Sequence, residues 1–194
     1  MARRATVVYV ALAAADTLLA ATGRDLLRWM TKPLLMPVLV VGRDRPTQRA
    51  LACGGAGDVA LLGGSEIAFT AGLVSFLAGH LAWIVALRQR PGGGRLRAMP
   101  ALAAPHLAAF GVLNAYLWKR TGKDRIPVIV YSTALLAMAL AALDSGSPRT
   151  AAGGALFLVS DSLLAVEKFG GLHLPAHDGL VMATYTSAQA LLAG

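Results

Sequence analysis

The chain has 194 residues, 56% of them hydrophobic and only 14% charged, with a mean hydropathy of +0.61, which leaves too little polar surface to coat a water-soluble core. Its net charge of +8 lies in short breaks between apolar runs rather than in a stripe interleaved with aromatics, which argues against a nucleic-acid partner and for anionic membrane lipids. The single cysteine, Cys53, supports neither a disulfide framework nor a cysteine metal site and reads as a small packing residue.

Apolar runs cover residues 6–22, 26–42, 48–63, 66–88, 97–118, 126–143, 150–167 and 178–193, predicting an all-α, polytopic bundle of eight transmembrane helices in a single membrane domain over residues 1–194. The first run follows Arg3 and Arg4 and has the outline of a signal peptide, but Asp16 interrupts it and no soluble domain comes after, so an uncleaved helix is expected. Span 2 carries Thr31-Lys32-Pro33-Leu34-Leu35-Met36-Pro37, with Lys32 at its mouth either snorkelling to the interface or binding a phosphate. Span 3 holds Gly54-Gly55-Ala56-Gly57-Asp58. Glu66 marks the interfacial start of span 4, whose inward stripe is Gly72, Phe76 and His80. His106, Phe110 and Asn114 share a packing face on span 5, and Tyr131 is the polar residue of span 6. Span 7 contains Gly153-Gly154 and Ser160-Asp161, and Met182, Tyr185 and Gln189 line one face of span 8.

An even number of spans puts both termini on one side. That side carries ten Lys and Arg, including Arg43, Arg45 and Arg49, against eight opposite, counting Arg28, Lys32 and Lys168. The excess places the termini in the cytoplasm, with a bacterial inner membrane as the expected location. The glycine-then-aspartate pattern of span 3 echoes that of span 7, and Lys32-Pro33 faintly matches Ile126-Pro127, as expected of two duplicated four-helix halves. Both acids then fall about 10 residues into their helices, near mid-bilayer at about 1.5 Å per residue.

An ionisable side chain at that depth costs about 2.5 to 3.5 kcal/mol to insert, so Asp58 and Asp161 are either interhelical glue or functional, and their matched depth favours function. The neighbouring glycines would let helices approach and bring the two carboxyls to one seam. Were they to meet, burial and mutual repulsion would keep one neutral beside an ionised partner, an acid/base pair for neutral pH. His80 is a candidate to orient an acid or meet a headgroup. No metal-ligand spacing, nucleotide loop or nucleophile elbow is present.

The motifs TKPLLMP (31–37), GDVALL (57–62), GLVSFLAGHLAWI (72–84), FLVSDSLLAVEKF (157–169) and MATYTSAQALL (182–192) together resemble the YhhN-like lysoplasmalogenase family, in order and over nearly the whole chain. Trp83, where the family often has Tyr, and Glu167-Lys168, where an Asn-Lys or Asn-Arg pair is usual, are mild departures. The resemblance implies cofactor-free hydrolysis of the vinyl ether bond of a lysophospholipid, releasing a fatty aldehyde. Asp58 and Asp161 are then the catalytic pair, with Lys32, His80, Ser160, Tyr185 and Gln189 lining the site and Lys32 contacting phosphate. The other reading open to the same residues is a small transporter or lipid translocator that uses the buried acids for proton or cation coupling.

Overall fold

The computed structural model describes residues 2–194, with side chains from Arg4 onward, so Arg3 of the charge tally lies outside the described side chains. Helices α1 (Ala2–Ala21), α2 (Asp25–Leu39), α3 (Arg45–Leu61) and α4 (Glu66–Arg88) form the first half. A one-turn helix α5 (Arg95–Ala98) leads into α6 (Ala104–Leu117), α7 (Arg125–Asp144), α8 (Pro148–Lys168) and α9 (His177–Ala193), and no strand occurs among the described residues.

Every predicted apolar run is helical, and local chemistry sets the ends. Ser65 accepts a hydrogen bond from Ala68 N at 3.1 Å at the start of α4, and Ser147 accepts from Thr150 N at 3.3 Å at the start of α8. Proline occupies the first turn of α3 and α8, where its missing N–H is no loss. The run expected from residue 97 becomes a regular helix only at Ala104. Pro100 and Pro105 have no N–H to donate to a preceding turn and each opens a new element, so residues 95–103 break into α5 and a 3-10 turn.

Among the described residues four helices, α1, α4, α7 and α8, are long and apolar enough to cross a bilayer. The remaining long ones are α2 with 15 residues, α3 and α9 with 17 each and α6 with 14. At about 1.5 Å per residue these reach roughly 21 to 26 Å, short of a hydrocarbon core of about 30 Å.

Seven helices close into a ring in the order α1, α2, α3, α4, α7, α8, α9 and back to α1, while α6 lies outside against α7. Neighbours in the two halves correspond: α3 packs on α4 as α8 does on α9, and α2 on α3 as α7 does on α8. The halves part company at the closure, because α1 is wedged between α9 and α2 whereas α6, its counterpart, is displaced and α4 packs directly on α7. Leu117 is the one buried residue of α6 among those described.

The bundle is apolar outside and polar within. Val7, Leu18, Val74, Val85, Val112 and Val130 project outward, while Asp16, Arg28, Lys32, Asp58, His80 and Gln189 are all buried. Water as solvent would reverse that arrangement; hydrocarbon favours it.

Candidate functional site

The buried polar residues converge on a cavity of about 290 Å³ inside the ring, at the small end of the range for small-molecule sites. Arg28, Glu167, Lys168 and Asp178 lie around its mouth, on the side reached by the α1–α2, α3–α4 and α8–α9 connections. The opposite end of the bundle carries the C-terminus, where Arg43 Nη1 donates to the Gly194 carbonyl.

Asp58 and Asp161 each stand 13 residues beyond the first residue of their helix, 45 to 58 on α3 and 148 to 161 on α8. Counted from the helix starts the two positions match, but α3 ends one turn after Asp58 whereas α8 continues for seven residues after Asp161.

Asp58 is almost fully enclosed. Lys32 Nζ lies 3.5 Å from its Oδ1, and the Tyr185 hydroxyl donates to its Oδ2 at 2.8 Å. Behind Tyr185 the donors continue: Gln189 Nε2 donates to the Tyr185 oxygen at 3.2 Å, and Trp83 Nε1 donates to Gln189 Oε1 at 3.2 Å. Gly54 makes room for this chain, since a Cβ there would meet Gln189 Nε2 at 2.9 Å and the Tyr185 oxygen at 3.2 Å.

Asp161 has a second, shorter chain and, among the described residues, no lysine or arginine partner. The Tyr131 hydroxyl donates to its Oδ2 at 2.6 Å, and His80 Nε2 lies 3.1 Å from the Tyr131 oxygen and 3.4 Å from that same carboxylate oxygen. Tyr131 has one hydrogen and donates it to Asp161, so His80 Nε2 is the donor to the Tyr131 oxygen, with Nδ1 on the far side of the ring. No hydrogen-bond partner meets that Nδ1 among the described residues. Edge-to-face contacts run from Tyr131 through His80 and Phe157 to Tyr185 and Phe76, an aromatic wall linking the two acids.

The two carboxyls open onto one cavity without a hydrogen bond between them, so they do not form the proton-sharing dyad that would follow from a direct meeting. They belong to helices on opposite sides of the ring. The glycines do create close approaches, but toward shared neighbours: Gly54 and Gly153 both abut α9, Gly57 receives Phe76 of α4, and Gly154 receives Ala142 of α7.

Of the other expected residues, Lys32, Ser160 and Tyr185 line the cavity. Ser160 Oγ donates to the Val181 carbonyl at 3.0 Å, tying α8 to α9. His80 and Gln189 do not line it; both are about 1% exposed and act through the tyrosines in front of them. Lys32 is not snorkelling but buried against Asp58. Asn114 ties α6 to α7 by accepting from Ser132 Oγ at 3.2 Å. Glu66 starts α4 as expected and pairs with Lys168 at 3.3 Å.

From sequence Asp16 could be functional but has no motif around it, and Arg28 is not singled out as a site residue. Arg28 counts there as a loop cation, yet it lies one turn before Lys32 on the buried face of α2 and lines the cavity. Asp16 is fully buried on α1, accepting from Thr31 Oγ1 at 2.7 Å and facing Arg28 Nη2 at 3.6 Å. The available signal was the spacing of Arg28 and Lys32, four apart on a face continued by Leu35, Met36 and Leu39.

An apolar groove between α4, α6, α7 and α8 meets the cavity at Tyr131 and Asp161. Leu73, Leu113, Val128 and Leu135 line it. The site is therefore amphipathic, with cations toward α2 and hydrocarbon-like walls toward α6.

No curated relative and no solved structure matches the chain. The model of the YhhN family matches residues 27–194, taking in Arg28, Lys32 and both cavity aspartates and leaving Asp16 before its start. By that match, over far more than half its length, the chain belongs to the YhhN family.

Proposed function

We propose that this protein is a lysoplasmalogenase-type hydrolase that spans a bacterial inner membrane eight times with its termini in the cytoplasm. The observation that carries the proposal is the pair of buried carboxyls, Asp58 and Asp161, exposed to a single cavity that is cationic on one side and continues into an apolar groove on the other. A single-chain lipid has that same division. Its phosphate suits Lys32, its hydrocarbon tail suits the groove, and the vinyl ether linking them falls beside Asp161.

A vinyl ether is cleaved by protonating its outer alkene carbon. Asp161 takes the proton-donor role on geometry: among the described residues it has no lysine or arginine partner, and 12% of its side chain stays open, where a substrate carbon can reach it, against 1% for Asp58. Its proton forms the new C–H bond, and the electrons of the alkene leave an oxocarbenium ion at the carbon bearing the ether oxygen. Asp58, ion-paired with Lys32, is the carboxylate that offsets this positive charge and accepts a proton from the attacking water. The hemiacetal then collapses: its hydroxyl proton passes to Asp161 as the aldehyde forms, and Asp58 gives the proton it took from water to the leaving glycerol oxygen, so both carboxyls return to their starting states and one water is consumed overall. Ser160 keeps α8 and α9 in register beside Asp161, and Tyr185, Gln189 and His80 hold the carboxylates. No cofactor takes part in this path.

A transporter using the same acids would have to expose them to both faces in turn, whereas a hydrolase needs only an opening such as this cavity has at one end of the bundle. The deciding experiment is incubation of the purified, detergent-solubilised protein with a lysoplasmalogen. Release of aldehyde supports hydrolysis, which needs no sealed membrane; its absence from folded protein, with substrate or ion flux in proteoliposomes, would return the site to transport.

A further inference from the structure

The path above needs Lys32 for the phosphate, but Lys32 is already paired with Asp58 at 3.5 Å, and one occupied cation makes a poor anion site. Arg28 supplies what is missing. It lies one turn before Lys32 on α2, is 8% exposed and lines the same cavity. Its hold on the protein is incomplete: Asp16 faces Nη2 at 3.6 Å, beyond hydrogen-bond distance, Nη1 donates at 3.3 Å to the exposed Asp25, and Nε has no acceptor. A guanidinium fixed mainly by charge keeps donors for a ligand, and its planar fork suits the oxygens of a phosphate.

Asp16 and Thr31 are placed to aim this group. Thr31 Oγ1 donates to Asp16 Oδ1 at 2.7 Å, which fixes the carboxylate on α1 against α2 and turns Oδ2 toward Arg28. Asp16 Oδ2 has no hydrogen-bond partner of its own, so charge attraction to the guanidinium is its principal contact.

Resting on the proposed lysolipid reading, we infer that Arg28 and Lys32 together form the phosphate clasp of this cavity, with Arg28 the principal phosphate ligand and Asp16 the residue that positions it. The occupant is a phosphodiester on a single-chain lipid, and the clasp distinguishes it from an uncharged lipid with the same tail.

The test is binding to detergent-solubilised protein of two non-hydrolysable probes with equal chains, a saturated 1-alkyl lysophospholipid and the corresponding 1-alkylglycerol. Arg28→Gln should weaken the phosphate-bearing probe at least tenfold and leave the alkylglycerol within about twofold. Arg28→Lys should weaken the phosphate probe several-fold, because charge remains but the fork is lost, and Asp16→Asn should do the same through misaligned Arg28. Equal weakening of both probes, or an unchanged phosphate probe, overturns the clasp. Should Arg28→Gln not fold, the Arg28→Lys ratio decides by the same criterion. Because neither probe is hydrolysed, loss of discrimination in the variants with no vinyl ether turnover by the wild type would keep the clasp and reject the hydrolase.

Discussion

His80 and Trp83, one turn apart on α4, start separate hydrogen-bond chains that end on different carboxylates. His80 reaches Asp161 through Tyr131, and Trp83 reaches Asp58 through Gln189 and Tyr185. One helix thus orients both acids, although they sit on opposite sides of the ring and do not touch. The chains differ in what they deliver: Asp58 also receives Lys32, whereas Asp161 receives only a phenol and an imidazole.

That difference sets the first expectation. Asp58→Asn and Asp161→Asn should each lower turnover by about a hundredfold or more in folded protein, the usual contribution of a positioned acid or base being about 10² to 10⁴. Tyr131→Phe and Tyr185→Phe should cost about tenfold to a hundredfold in kcat, since a hydrogen bond to a charged group contributes about 1.5 to 3 kcal/mol. Steady-state kinetics on lysoplasmalogen check both sets, and near-normal kcat in either Asn variant would reduce that acid to interhelical glue.

Lys32→Ala should raise KM for the lysolipid and also destabilise the protein, because it strands Asp58 with about 1% of its surface exposed. Breaking a buried pair on one side costs about 3 to 5 kcal/mol. The double variant Lys32→Ala with Asp58→Asn should recover much of the lost thermal stability without recovering activity. Melting temperatures in detergent measure this, and a double variant no more stable than Lys32→Ala alone would mean that the pair is not coupled.

Two glycines should respond differently to alanine. At Gly54 the new Cβ meets the mobile end of Gln189, so the side chain can move aside at about 1 kcal/mol for lost hydrogen bonds. Activity should nevertheless fall about tenfold as Tyr185 loses its alignment. At Gly154 the Cβ would lie 2.7 Å from Ala142 Cβ and 3.2 Å from Ala139 Cα, which cannot yield without moving α7. Gly154→Ala should cost about 1 to 3 kcal/mol of stability. Comparing melting temperature with kcat for each variant separates the two effects.

Isotopes test the reaction path. In deuterated water, protonation of the alkene by Asp161 must leave one deuteron on the carbon next to the aldehyde group. In heavy-oxygen water the attack at the oxocarbenium carbon leaves the glycerol hydroxyl unlabelled. Mass spectrometry of both products, with added aldehyde as the control for later enolisation, reads this directly. Heavy oxygen in the glycerol product would point to cleavage at the glycerol carbon and end the proposed mechanism.

By itself the sequence determined the solvent and most of the helices, because apolar runs bounded by Gly, Pro and charges are local signals. The same locality made Asp58 and Asp161 conspicuous, since an acid inside such a run is costly wherever the chain goes. It also predicted the face shared by Met182, Tyr185 and Gln189, all of which are buried. What the sequence could not determine is which polar group meets which. Tyr185 and Asp58 are 127 residues apart and Tyr131 and Asp161 are 30 apart, and no periodicity encodes such pairings. Arg28 counted as a loop cation until α1 brought Asp16 against it, and the two acids were expected at one seam until the ring set them on opposite sides with α9 and the aromatic wall between. Hydrophobic pattern fixes the face of a side chain, but only the packing of the helices around the ring decides its partner, because buried charges and hydrogen-bond donors must find partners across helices rather than along them.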